Sequence, residues 1–150
     1  MIEVLSSYKM SEASFFRSVH FMDTFFKRSE KKLKVSDLHL VGVASMFTAT
    51  KYEEIYPLKL NMVYDKICRK KFSKKQILEF EDLILAAMNF ELQKPTVLNV
   101  IDHLIGNIWF NLAEFPKDLS SQQKKYFFDI TLYLSKMSFH NYEISQVDMK

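Results

Sequence analysis

The stretch Ser36–Pro57, SDLHLVGVASMFTATKYEEIYP, limits the possible folds more than any other part of the chain. Between Leu38 and Ala49 nearly every side chain is small or apolar: Leu38, Leu40, Val41, Val43, Ala44, Met46, Phe47 and Ala49. At helical spacing these positions go round the whole cylinder, and a helix apolar on all sides must be enclosed by protein. A membrane span needs about 20 apolar residues, so this segment is too short to cross a bilayer and reads as the buried central helix of an all-α domain. Ser36 is expected to cap it, Asp37 suits the positive end of the helix dipole, and Pro57 forbids continuation. The core reaches the surface at Lys51-Tyr52-Glu53-Glu54, and function is to be sought there.

Composition agrees with a helical reading. A hydrophobic fraction of 48%, with 14 Phe, 7 Tyr and 8 Met, is ample for a core, while 2 Gly and 3 Pro are too few for a hairpin-rich fold. The single cysteine, Cys68, excludes a disulfide framework and a thiolate zinc cage and suits a reducing compartment. A net charge of +3 neither demands nor forbids a polyanionic partner. Neither a signal peptide nor a transmembrane helix is expected.

Residues 1–9 read as the tail of a longer helix, with Ile2, Val4, Leu5 and Tyr8 at its apolar positions. A second helix runs from Ser11 to Arg28 with Phe15, Val19, Met22 and Phe26 at helical spacing. Asp23 lies beside that stripe, either as a hydrated boundary residue or as half of a buried pair. Lys27–Lys34 is a basic connector that reads as a solvated loop, with a nucleic-acid or acidic-partner contact as the lesser option. After Pro57, Leu60, Val63, Tyr64 and Ile67 mark a short helix within Leu58–Cys68, followed by a second basic connector, KICRKKFSKK.

Ser73 and Gln76 have capping-box spacing and open a helix from Lys74 to Asn89 whose apolar face holds Ile77, Phe80, Ile84 and Met88. Glu81 falls on that same face, where a carboxylate is costly unless it has a cation or donors. Lys51 is the best candidate, because it ends the stripe Ala44, Phe47/Thr48, Lys51 of the central helix; the alternative is an unpaired, partly exposed Glu81. Gln93-Lys94-Pro95 is the clearest boundary in the chain. Beyond it, Val97, Ile101, Leu104 and Ile108 share one helix face, with Leu98, Ile105 and Leu112 beside them. After a loop through Pro116, Ser120 and Gln123 repeat the capping-box spacing before a helix carrying Phe127, Ile130, Leu134 and Met137. Phe139–Lys150 has no strong pattern. No segment alternates long enough to make a strand.

Catalytic patterns are missing. Gly42 and Gly106 sit inside helices, not in a phosphate-binding loop. His20, His39, His103 and His140 make no ligand spacing, and no metal or cofactor is expected. Cys68 lies in a basic neighbourhood able to lower its pKa, although a lone cysteine near a helix end is usually a packing residue. Trp109 and the phenylalanines fall at core spacing and do not form a stacking platform. What remains is a protein-binding module, a nucleic-acid binder or a structural helical domain.

LHLVGVASMFTATKYEEIYP (38–57), followed by FSKKQILEFEDLILAAMNFELQKPTVLNVI (72–101), resembles the cyclin box of the mitotic-type cyclins. The likeness lies in the L-x-L-V-G start of the central helix, its K-[FY]-E-E-x-Y-P exit, the T/S-K-x-Q-[IV] start of the fifth helix, and the P-T boundary. VHFMDTFF in the second helix is similar to the family's V-x-Y-[IL]-D-R-F-L. The resemblance implies a cyclin fold. Residues 1–93 would form the N-terminal cyclin box, a five-helix repeat with most of its first helix missing, and 94–150 the first two helices of a second repeat. Those two helices are expected to expose apolar faces and to leave the isolated chain prone to aggregation.

The resemblance further implies a non-catalytic partner of a cyclin-dependent Ser/Thr protein kinase, acting as a heterodimer to control cell-cycle progression. Lys51 and Glu81 match a close pair that binds the kinase backbone, and Tyr52, Glu53, Glu54, Ile55, Leu85 and Leu92 match further contacts. Glu3, Leu38 and His39 match what remains of a docking groove for kinase substrates or inhibitors. Asp23 and Leu40 match structural positions, and Asp23 is expected to lack its usual cationic partner. Nucleus or cytoplasm is the expected location, with no membrane. The alternatives are a cyclin-fold adaptor without a kinase, binding nucleic acid or protein, and a non-functional truncated copy.

Overall fold

The computed structural model describes residues 1–29, 33–111 and 119–141. Among the described residues seven helices follow one another: α1 (Ile2–Ser7), α2 (Glu12–Arg28), α3 (Asp37–Glu53), α4 (Leu60–Met62), α5 (Lys74–Ala87), α6 (Val97–Asn111) and α7 (Ser121–Ser138). A π-helical turn, Val63–Ile67, continues α4. No β-strand occurs among the described residues, so the chain is all-α as expected. It divides into two compact units, Met1–Thr96 and Val97–Lys150.

In the first unit α3 is the centre, and α2, α5 and the π-helical turn pack against it. From Val43 to Thr50 every side chain of α3 is buried, as the all-round apolar pattern requires. Leu40, the structural position singled out above, is 3% exposed. Ser36, however, does not cap the helix: its hydroxyl makes no cap hydrogen bond. Asp37 turns back instead, accepting from the Lys34 amide at 3.0 Å.

The buried face of α2 is broader than its spacing suggests: Phe15 and Val19 are buried as expected, but the burial extends to a second flank. Phe16, Phe21 and Phe25 are its deepest aromatic residues, whereas Met22 is half-buried and Phe26 is exposed. The reason is that α2 touches both α3 and α5, so two flanks of the helix are covered instead of one stripe. Ser14 and Ser18, where α2 comes close to its neighbours, are completely buried.

The Leu58–Cys68 segment is helical only briefly. Three α-helical residues pass into the π-helical turn, and Leu58, Val63 and Cys68 are the side chains it buries. The capping box at the start of α5 forms as expected: Gln76 N donates to Ser73 Oγ at 3.1 Å and Ser73 N to Gln76 Oε1 at 2.8 Å. Ile77, Phe80, Ile84 and Met88 all point into the core.

In the second unit α6 and α7 pack against each other. The same capping box joins Ser120 and Gln123. Ile101 and Ile105 are buried on α6, but Leu104 is exposed, so the covered stripe lies to one side of the predicted one. Ile108, Trp109, Leu112 and Pro116 lie outside the described side chains. On α7 the apolar face is present and open: Phe127, Ile130, Leu134 and Met137 are exposed, and Leu132 is the buried residue.

Candidate functional site: the exit of α3

The last turn of α3 gathers the charged chemistry of the first unit. Lys51 Nζ donates to Glu81 Oε1 and Oε2, each at 2.8 Å, so the carboxylate on the apolar face of α5 has its cation. The Thr48 hydroxyl adds a longer contact to Glu81 Oε1 at 3.4 Å while donating to the Ala44 carbonyl. The Lys51 ammonium also lies 4.0 Å from the Phe47 ring centroid. The pair is asymmetric: the Glu81 side chain is 9% exposed and that of Lys51 44%. A lysine ammonium has three donors, and two are directed at Glu81.

Glu53 and Glu54, two and three residues beyond Lys51, are engaged within the chain. Glu53 accepts from Arg17 Nε at 2.6 Å. Glu54 Oε1 accepts from the Ser11 amide and the Ser14 hydroxyl, both at 2.6 Å, at the N-terminus of α2. A carboxylate there opposes the positive end of the helix dipole. Burial pulls the Glu54 carboxyl up, but the hydrogen bonds from Ser14 and Ser11 outweigh it and leave it below its ordinary range.

Arg17 was not singled out in the sequence, where it reads as one more basic residue of an amphipathic helix. Its side chain is 7% exposed. Besides Glu53, it donates through Nη1 to the carbonyls of Leu92, at 2.9 Å, and Lys94. Its guanidinium lies 5.1 Å from the centroid of the Tyr52 ring. Lys94 also brings its positive charge towards His20, whose Nε2 is buried without a hydrogen-bond partner among the described residues. Desolvation, then the charges of Arg17, Lys94, Arg28 and Lys27, hold that imidazole below its ordinary pKa.

Between Tyr52 on one side and Phe90–Pro95 on the other lies an open cavity of about 590 Å³. Tyr52 is 40% exposed and Ile55 is 89% exposed; Leu85 and Leu92 are half-buried. The backbone turns into the cavity's far wall through Asn89 and Phe90, with φ of 52° and 59°. Left-handed backbone in a non-glycine residue costs about 1–2 kcal/mol, more easily borne by Asn than by Phe.

The predicted site residues thus fall in two places. Lys51, Tyr52, Glu53, Glu54, Ile55, Glu81, Leu85 and Leu92 belong to the exit of α3, α5 and the turn that follows. Leu38 and His39 are exposed at the opposite end of the 17-residue α3, where His39 meets Phe72 edge to face at 5.3 Å. Glu3 is exposed on α1. Asp23 is half-buried, and among the described residues no hydrogen bond or ion pair reaches its carboxylate; burial raises its pKa, with Lys27 opposing. The Cys68 thiol is also raised, by burial, so its basic neighbours do not activate it. Among the described residues no group of three or more His, Cys, Asp or Glu side chains could hold a metal ion. No helix of the described chain is long and apolar enough to cross a membrane.

The first unit is thus a helical domain built round one buried central helix, with the Lys51–Glu81 pair at its margin. The cyclin N-terminal domain family model matches residues 1–93. The G2/mitotic-specific cyclin-A of Patella vulgata is 39% identical over 98 residues, 65% of this chain and 22% of that protein. The protein of the same name from Drosophila melanogaster is 33% identical over 138 residues, 92% of this chain and 25% of that protein. Cyclin-A2 of Xenopus laevis is 35% identical over 103 residues, 68% and 24% of the two chains. The chain belongs to the cyclin family. It spans about a quarter of the length of these curated relatives.

Proposed function

We propose that this chain acts as a cyclin-type regulatory surface that docks on a cyclin-dependent Ser/Thr protein kinase and favours its active arrangement. The Lys51–Glu81 pair supports this reading most directly. It holds one ammonium half in solvent and one carboxylate almost out of it, with both groups fixed in direction by 2.8 Å hydrogen bonds. Such a pair offers a donor and an acceptor to the unsatisfied backbone groups at a partner helix end. Tyr52, Ile55, Leu85 and Leu92 supply apolar surface beside it, an arrangement suited to an amphipathic helix laid into a groove.

The mechanism is allosteric and takes no catalytic residue from this chain. An active kinase needs its own lysine–glutamate ion pair closed by the inward position of one helix. A surface that fits only that position shifts the kinase population towards it by the difference between its two affinities. Residues 1–93 would carry this docking role as an N-terminal cyclin box, and 94–150 would open a second repeat. Glu3 on α1, with Leu38 and His39 at the other end of α3, would contribute to substrate or inhibitor docking. The nucleus or cytoplasm is where such a partner would be met.

The test is co-purification with cyclin-dependent kinases, with kinase activity as readout, for the parent chain and for Lys51→Ala and Glu81→Ala. Binding and activation by the parent, with each variant weaker by about 2 kcal/mol or more, is the expected result for an interface hot spot. Equal binding by parent and variants would remove the pair from the interface.

A further inference from the structure

We propose that Arg17 is a positioning residue for the partner groove: its guanidinium fixes the strained turn after α5 against the exit of α3 and so sets the groove's width. The occupant of the groove rests on the kinase-docking reading above; the clasp itself does not.

Arg17 lies between two buried neighbours, Phe16 and Ser18, where packing alone would be served by an apolar side chain. Its guanidinium instead reaches both walls of the cavity. On one side it holds Glu53, at 2.6 Å, the residue next to the wall residue Tyr52, and lies against the face of the Tyr52 ring itself. On the other are the carbonyls of Leu92 and Lys94. The planar fork of arginine can hold these directions together, and the single ammonium of lysine cannot.

The far wall needs such a tie. Asn89 and Phe90 both have left-handed backbone, and the Phe90 side chain is 71% exposed, so its own burial does little to hold it there. Hydrogen bonds from the amides of Phe90, Glu91 and Leu92 to the carbonyls of Leu85, Met88 and Phe90 secure the beginning of the turn. Arg17 grips it further on, at Leu92 and Lys94. The link crosses from α2 to residues 75 and 77 positions away, so loosening it frees one wall without unwinding α5.

Two measurements on the full chain test this, using Arg17→Gln, Arg17→Lys and Glu53→Gln. In the first, amide hydrogen exchange is followed without any partner. Arg17→Gln should speed exchange at Phe90, Glu91 and Leu92 by about tenfold and leave Ile84 within about twofold of the parent. Arg17→Lys should fall in between. If Arg17→Gln does not fold, Glu53→Gln should still speed the same three amides, by a smaller factor. Unchanged exchange at 90–92 overturns the proposal.

In the second, kinase affinity is measured in a double-mutant cycle with Tyr52→Ala. Arg17→Gln should weaken binding by about tenfold in the parent and by less than about twofold once Tyr52 is gone. Equal losses in both backgrounds would make Arg17 a core residue only and overturn the proposal. A parent chain that binds no kinase would defeat the docking reading, while the exchange data would still decide the clasp.

Discussion

Glu81 receives two hydrogen bonds from one ammonium: Lys51 Nζ reaches both carboxylate oxygens at 2.8 Å and joins the last turn of α3 to the middle of α5. The two partners do not depend on each other equally. Lys51 can turn to water, whereas Glu81 cannot, since its side chain is only 9% exposed against 44% for lysine.

That asymmetry gives the first prediction. Lys51→Ala leaves Glu81, among the described residues, with only the 3.4 Å contact from Thr48 and should destabilise the fold by about 1–2 kcal/mol, less than a fully buried pair because lysine is half solvated. Glu81→Gln keeps an acceptor and a similar shape and should cost less. Urea unfolding of the two variants gives the comparison, and a larger loss for Glu81→Gln would contradict it.

Glu54 should matter to folding irrespective of any partner. Its carboxylate holds the Ser11 amide and the Ser14 hydroxyl at the start of α2, and Glu54→Ala is expected to cost about 1 kcal/mol, with residue exposure limiting the effect. Because its pKa is lowered in the folded state, its contribution is present above the ordinary carboxylate value of 4.5 and is lost as pH falls through the folded value. Thermal melts from pH 6 downward should therefore show a shallower acid loss for Glu54→Ala than for the parent.

His20 makes the fold sensitive to mild acid. Burial and four neighbouring cations lower its folded pKa, so the neutral ring is accommodated and the charged one is not. Stability is then full above the ordinary value of 6.5 and declines as pH falls from there towards the folded value. His20→Leu, which removes the titrating group, should flatten the melting temperature between pH 7 and pH 5. A slope identical to the parent's would count against it.

Asp23 acts in the opposite sense. Its folded pKa is raised by burial, so its favourable contribution is full below 3.8 and is lost as pH rises through the folded value. At neutral pH the half-buried carboxylate works against folding. Asp23→Asn should raise the melting temperature at pH 7, with the gain shrinking towards pH 4 in differential scanning calorimetry.

Much of this architecture was legible in the sequence. The all-round apolar pattern of Leu38–Ala49 calls for an enclosed helix, and α3 is enclosed from Leu40 to Thr50, while Leu38 and His39 in its first turn are exposed. Ser73/Gln76 and Ser120/Gln123 form their capping boxes because that chemistry lies within four residues and needs no tertiary help. Glu81 on an apolar face asked for a cation, and the register of α3 offered Lys51.

The tertiary structure decided what depends on residues far apart in the chain. Arg17 finds Glu53 at a separation of 36 residues and the Leu92 carbonyl at 75, and no local pattern distinguishes it from a solvated arginine. Glu54 reaches back 43 residues to Ser11, and α2 buries Phe16, Phe21 and Phe25 because α3 and α5 cover two of its flanks. Periodicity and capping are short-range properties that each segment carries for itself. Which polar groups are desolvated, and by whom they are satisfied, is set only when the helices meet.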